Sequence, residues 1–234
     1  MGLGNPGRDY VRTRHNAGFL LLDALAAGWR VEWAARKKFN ARVARADRGD
    51  RRVFLCEPAT YMNASGEAVS ALMKFHKVPL AHLLVAVDDA DLPLGTLRLR
   101  PDGSSGGHHG LESIEQHLGT REYARQRIGI GRDDPAARQI TGYVLGQFRP
   151  AERELLEKVL QKACEQIECW LAVAAPITEA EETAAAEAGA VTAEVEMIKE
   201  KKEDGEAPAA GKAGDKAPVA AAKPDEKKPA EKKK

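Results

Sequence analysis

From Ile177 to Lys234 the chain carries no aromatic residue and few large aliphatics, and is made mostly of Ala, Glu, Lys and Pro. A segment of that composition cannot bury enough apolar surface to offset the entropy lost on ordering. Residues 177–234 are therefore expected to form a disordered, low-complexity tail. Everything able to fold lies in residues 1–176, one domain long enough for a sizeable core.

Charge divides at the same boundary. The whole chain has 36 Lys and Arg against 35 Asp and Glu. Taking away the 11 basic and 14 acidic residues after Pro176 leaves 25 and 21, a net of +4 on the part expected to fold. That mild excess permits a nucleic-acid partner without requiring one. Cys56, Cys164 and Cys169 are an odd, sparse set without CxxC spacing, which points to neither a disulfide framework nor a zinc site. No apolar run reaches membrane-spanning length and the start lacks a signal-peptide pattern, so no membrane association is expected and a reducing cytoplasm is the expected setting.

Periodicity supplies the elements. Phe19, Leu20, Leu22 and Leu25 repeat at helical spacing, with Asn16 placed to cap them. Glu67 to His76 puts Val69, Leu72, Met73 and His76 on one helical face. The run Leu83 to Val87 is short, apolar and closed by Asp88, which suits a buried parallel strand. Thr96 to Arg100 alternates as a strand with Arg98 and Arg100 on one side, Leu111 to Leu118 reads as a short helix, and Arg127 to Ile130 as another strand. After Pro150, residues 151–173 form a long amphipathic helix whose inner face holds Leu155, Leu156, Val159, Leu160, Ala163, Ile167 and Trp170. This alternation predicts a single three-layer α/β domain: a mixed, mostly parallel twisted sheet flanked by helices.

The opening Gly2-Leu3-Gly4-Asn5-Pro6-Gly7 formally matches GxGxxG, and Asp23 lies near the distance of a ribose-binding acid. Context rejects a dinucleotide site. Pro6-Gly7 and the polar run to Arg14 break the helix that such a fingerprint must start, and Asp23 falls inside a later helix. The glycines instead read as a strand-to-loop turn that holds Asn5 at the C-terminal end of the sheet, where open α/β sheets bind ligands. Asn5 offers a donor and an acceptor together.

Five blocks then follow in order. They are Tyr10-Val11-Arg12-Thr13-Arg14-His15-Asn16-Ala17-Gly18-Phe19, Pro58-Ala59-Thr60-Tyr61-Met62-Asn63-Ala64-Ser65-Gly66, Asp88-Asp89-Ala90-Asp91-Leu92-Pro93-Leu94-Gly95, Gly106-Gly107-His108-His109-Gly110-Leu111 and Arg127-Ile128-Gly129-Ile130-Gly131. In this order and spacing the chain resembles bacterial peptidyl-tRNA hydrolase from Met1 to about Val173, excluding the tail.

The resemblance implies hydrolysis of the ester between peptide, or N-acyl-amino acid, and tRNA, recycling tRNA released from stalled ribosomes. It implies no cofactor, the acceptor stem and 3′ end of peptidyl-tRNA as partner, no obligate protein partner, and a monomer. His15 would be the general base that takes a proton from the attacking water, work that imidazole suits. Asp88 would accept the other ring N–H and fix the tautomer. No nucleophile-elbow serine or cysteine is present, which favours direct attack by water. Asn5 and Asn63 would hold amide groups of the peptide and stabilise the oxyanion. Tyr10 and Met62 would wall the scissile ester, with His108 and His109 on the substrate side. Arg100 and Arg127 match the positions that grip the terminal phosphate, a task suited to guanidinium; Arg98 and Arg125 read equally as helpers or as solvated surface.

Two departures from the family stand out. Relatives carry a few apolar residues before the glycine turn that form a central first strand, whereas this chain begins Met1-Gly2. A missing strand should leave neighbouring backbone groups unpaired, and a start codon placed too late is the expected explanation. His109 stands where the family usually has Asn; it is expected to keep a substrate- or water-positioning role and to add acid sensitivity.

Two other functions compete. A metal-dependent hydrolase built from His15, Asp88, Asp89, Asp91, His108 and His109 has ligands in number but no HExxH or comparable spacing. A catalytically silent RNA-binding relative of the same fold is the alternative, opposed by the intact set of His15, Asp88 and Asn63.

Overall fold

The computed structural model describes residues 1–132 and 140–173 of the 234. The tail expected from residue 177 lies outside the described residues.

After a 3-10 turn at Arg14–Asn16 the chain enters helix α1 (Ala17–Trp29). Strands β1 (Ala34–Arg36), β2 (Ala41–Arg48) and β3 (Arg51–Pro58) follow as an antiparallel meander. Helix α2 (Ser65–His76), strand β4 (Leu84–Asp89), strand β5 (Leu97–Arg100), helix α3 (His109–Leu118) and strand β6 (Ala124–Gly129) come next. The short helix α4 (Thr141–Val144) and the long α5 (Pro150–Val173) complete the described chain.

The α/β class and the flanking helices agree with expectation, but the parallel majority does not. Among the described strands β4 and β6 pair in parallel, and Gly2 bridges Ala86 of β4 in parallel as well; β5 joins β6 antiparallel, and both pairings in the β1–β3 meander are antiparallel. The reason lies in residues 34–58, whose alternation ARVARADR passes through a tight turn at Gly49 into β3. Such a short connection can only reverse the chain.

Met1 to Leu3 occupies the middle of the sheet. Gly2 donates to Cys56 O on β3 at 3.0 Å, while Leu3 donates to Ala86 O at 3.0 Å and Ala86 to Met1 O at 2.7 Å on β4. These three residues therefore stand where the absent strand was expected to leave both neighbours unpaired. The Met1 ammonium donates to Leu84 O at 2.8 Å, and burial lowers its pKa.

Two apolar layers sandwich this arrangement. Leu21, Leu22 and Leu25 of α1 and Leu156, Val159, Leu160, Ala163 and Ile167 of α5 pack on the face carrying Leu84, Ala86 and Ile128. Val69 of α2 and Leu111 and Ile114 of α3 pack on the opposite face, which carries Leu3, Val85 and Val87. Burying each large aliphatic contributes roughly 1.5–3 kcal/mol, so Leu156, Val159, Leu160 and Ile167 anchor that helix. Leu155, expected on the same inner face, is 42% exposed instead. Gly18 lets α1 approach the sheet: a Cβ there would stand 2.5 Å from Leu3 N and Ala86 O. Among the described residues no helix is long and apolar enough to cross a membrane.

Candidate active site

The C-terminal end of β4 delivers Asp88 into the sheet's interior, 5% exposed. The 3-10 turn before α1 brings His15 over it, and the residue preceding α3 brings His108. His15 Nδ1 lies 3.1 and 3.0 Å from the two Asp88 oxygens, and His108 Nε2 lies 3.0 Å from Oδ1.

The protons on these rings follow from their other partners. His108 is the N-cap of α3, and its Nδ1 accepts from the N–H of Gly110 at 3.2 Å and of Leu111 at 3.4 Å. A nitrogen that accepts carries no proton, so His108 holds its hydrogen on Nε2 and donates it to Asp88. Burial alone would raise the Asp88 carboxyl; its interactions with His108 and then His15 outweigh that and hold it down at about 2. An ionised carboxylate only accepts, so His15 Nδ1–H donates to it. The His15 Nε2 lone pair has no partner among the described residues and belongs to the cavity that His15 lines.

That cavity holds about 380 Å³. Asn5 and Asn63 bring carboxamides to it, and Met62, Val144 and Leu145 bring apolar surface. Asn16, expected as the cap of α1, makes no side-chain cap bond. Its Oδ1 instead accepts from Asn5 N at 2.9 Å and its Nδ2 donates to Asn5 O at 3.0 Å, which clamps the glycine turn. The Asn5 Oδ1 accepts from Met62 N at 2.8 Å. This fixes the orientation of the amide and leaves Nδ2 as the group it can offer a ligand. Asn63 is exposed, and its amide is unspent among the described residues. A Cβ at Gly110 would stand 2.5 Å from the Met62 sulfur and 2.9 Å from Leu3 Cδ1, so both side chains would have to move to admit one.

The remaining expected residues divide. His109 lines the cavity but points outward, its side chain 75% exposed, with Nδ1 3.0 Å from Glu112 Oε2. Arg127 lines it as well, paired with Asp89 Oδ2 at 3.1 Å and donating to Ser104 O at 3.2 Å. Tyr10 and Arg100 do not line it. Tyr10 sits in successive turns, its carbonyl accepting from both Thr13 N and Oγ1. Register pairs Arg98 with Arg127 and Arg100 with Arg125, so four arginines share one face of β5–β6. Arg98 and Arg100 are exposed. Arg125 is fully buried, with burial lowering its pKa, and donates to the carbonyls of Ser104 and Arg121, which makes it a loop anchor. Sequence reasoning missed the bond from His108 to Asp88 and the wall at residues 140–145. Neither follows a period, and no short motif signals them.

Ring nitrogens of His15 and His108 and an oxygen of Asp88 lie within 4.8 Å of one another, close enough to share a cation. Their donor chemistry does not fit one. A metal-ligating histidine donates its other N–H outward, whereas His108 Nδ1 accepts from two backbone donors. Asp89 and His109 are taken up by Arg127 and Glu112.

A family model described as peptidyl-tRNA hydrolase matches residues 1–189. The chain is 47% identical over 172 residues to a peptidyl-tRNA hydrolase of Gloeobacter violaceus, covering 74% of this chain and 86% of that one. It is 46% identical over 177 residues to one of Geobacillus kaustophilus, covering 75% and 92%. The fold is similar to the crystal structure of peptidyl-tRNA hydrolase from Acinetobacter baumannii, with TM-score 0.67, 36% identity, and coverage of 71% of this chain and 84% of that one.

Proposed function

The chain belongs to the peptidyl-tRNA hydrolase family, and from that membership we propose the course by which its residues hydrolyse peptidyl-tRNA. The observation that carries the scheme is the His15–Asp88 contact at 3.0 Å, with the free Nε2 of His15 on the cavity side. Water hydrogen-bonded to Nε2 loses a proton to it as its oxygen attacks the ester carbonyl. Asp88 keeps the ring in the tautomer that can accept, and stabilises the imidazolium that forms. Asn5 Nδ2 and the Asn63 amide donate to the developing oxyanion. Collapse expels the ribose oxygen of the tRNA, which takes its proton back from His15. The peptide leaves with a free carboxylate and the tRNA with a free hydroxyl.

Arg127 and Arg100, with Arg98 beside them, supply a basic flank for phosphates of the acceptor stem. A substrate made by translation supports work in the cytoplasm. His108, with Nδ1 accepting, supports a course that needs no metal.

The test is release of labelled N-acyl-amino acid from N-acyl-aminoacyl-tRNA by wild type and His15→Ala, with and without chelator. Turnover that survives chelator and disappears in His15→Ala is the expected result. Loss of turnover with chelator would reject the metal-free course, and tRNA binding without turnover would return the silent RNA-binding alternative.

A further inference from the structure

Arg14 precedes His15 and is 4% exposed, yet the reaction gives it no task. Its backbone N–H donates to Gly146 O at 2.9 Å, and Nη1 donates to Gln147 O at 2.6 Å. Nη2 meets Glu152 Oε2 at 2.8 Å, and the guanidinium lies 4.4 Å over the Tyr143 ring and 5.4 Å from that of Phe148. Thr13, just before it, bridges to Gln147. All these partners lie in α4 or shortly after it.

Those partners are themselves held. Tyr143 donates its hydroxyl to Ile130 O at 3.0 Å, and Glu152 also accepts from Arg149 N at 2.6 Å at the start of α5. Arg14 thus grips a segment that has fixed points on both sides. Ile140, Thr141, Val144 and Leu145 of that segment form one wall of the cavity. Filling space alone would not call for a guanidinium, since burying one costs several kcal/mol of desolvation, and Nε has no partner among the described residues. A lysine ammonium lacks the planar fork by which Nη1 reaches the Gln147 carbonyl and Nη2 the Glu152 carboxylate while the plane lies over Tyr143.

We propose that Arg14 is a positioning residue: it fastens the wall Ile140–Leu145 to the backbone stretch that bears His15. An apolar acyl group resting on Val144 and Leu145 is then held at a set distance from the His15 ring. The inference rests on the hydrolytic role given to His15.

Arg14→Lys, Glu152→Gln and Tyr143→Leu are compared with wild type and His15→Ala on N-acetyl-phenylalanyl-tRNA, with thermal unfolding recorded on the same samples. A displaced wall weakens substrate seating, so KM is expected to rise about fivefold or more. Simple destabilisation leaves fewer active molecules, which lowers kcat and keeps KM at its wild-type value. Tyr143→Leu removes the aromatic face under the guanidinium but leaves the Arg14–Glu152 ion pair in place, and it tests the proposal if Arg14→Lys does not fold. A raised KM in the folded variants supports the proposal whatever kcat does; wild-type KM in all of them overturns it. Full turnover in His15→Ala would remove the reading of His15 itself, and is seen separately from where the other KM values fall.

Discussion

The rings of His15 and His108 stand 5.0 Å apart at centroid, tilted by 47°, and each gives one N–H to the Asp88 carboxylate between them. The pair is chemically unequal. His108 has its second nitrogen committed to the first turn of α3, whereas His15 keeps its second nitrogen for the cavity. Only His15 is free to take a proton from water.

Asp88→Asn keeps the shape but can present an NH2 to His15 Nδ1, which selects the tautomer whose Nε2 carries the hydrogen. We expect kcat to fall by roughly 10²–10⁴ with KM little changed. The folded carboxyl is depressed to about 2 from 3.8, so its stabilising contribution is present above 3.8 and lost as pH falls through about 2. Melting curves of wild type and Asp88→Asn should therefore converge in strong acid. Wild-type kcat in the variant would reject the role.

His108→Ala removes both the cap of α3 and a donor to Asp88. A cap contributes about 1 kcal/mol, so urea unfolding should show a loss of that size. His108→Asn can still accept from the backbone of α3 and should recover most of the stability while remaining catalytically impaired. Equal stability of the two variants would show that the cap contributes nothing.

His109 tests the departure from Asn. Its Nδ1 faces Glu112 and its side chain is largely exposed at the cavity's edge. We expect His109→Asn to change kcat/KM by less than about fivefold, the scale of an exposed polar contact. A fall in kcat/KM of roughly tenfold or more would show that the ring itself holds the substrate.

Glu57 is nearly fully buried; Oε2 meets Arg42 Nε at 3.2 Å, and Oε1 has no partner among the described residues. Burial first, then Asp23, pushes its carboxyl up to about 8, and Arg42 and the Met1 ammonium offset only part of this. The native state keeps a proton that the unfolded chain releases. The resulting stability is full below about 4.5 and lost as pH rises through about 8. Glu57→Gln lacks this loss, so its melting temperature should gain on wild type between pH 5 and pH 9. A gap independent of pH would contradict the assignment.

Elements with a strong period were legible: α2, α3, α5 and the apolar strand ending at Asp88 lie within a few residues of where the pattern placed them. The β1–β3 meander was not, because Arg42, Arg45, Arg48 and Arg52 interrupt its apolar positions and mask the alternation. At the site, His15, Asp88 and Asn63 were identified from motif blocks. Arg14, the clamp of Asn16 on Asn5, and the joint task of His108 were not. These depend on partners 11 to 138 positions away, as with Asn16 and Asn5 or Arg14 and Glu152, and local spacing carries no trace of them.

Asn5 Oδ1 holds the backbone of Met62, and the Met62 sulfur packs so close to Gly110 that a Cβ there would have to displace it. Three distant stretches of sequence therefore share one tightly fitted joint. An inserted residue in any of them would have to be answered by the other two, whereas the hairpin tip at Gly49, with open space around it, can lengthen alone. Length variation among descendants of this chain should collect at that tip, and the joint should change only by matched substitutions.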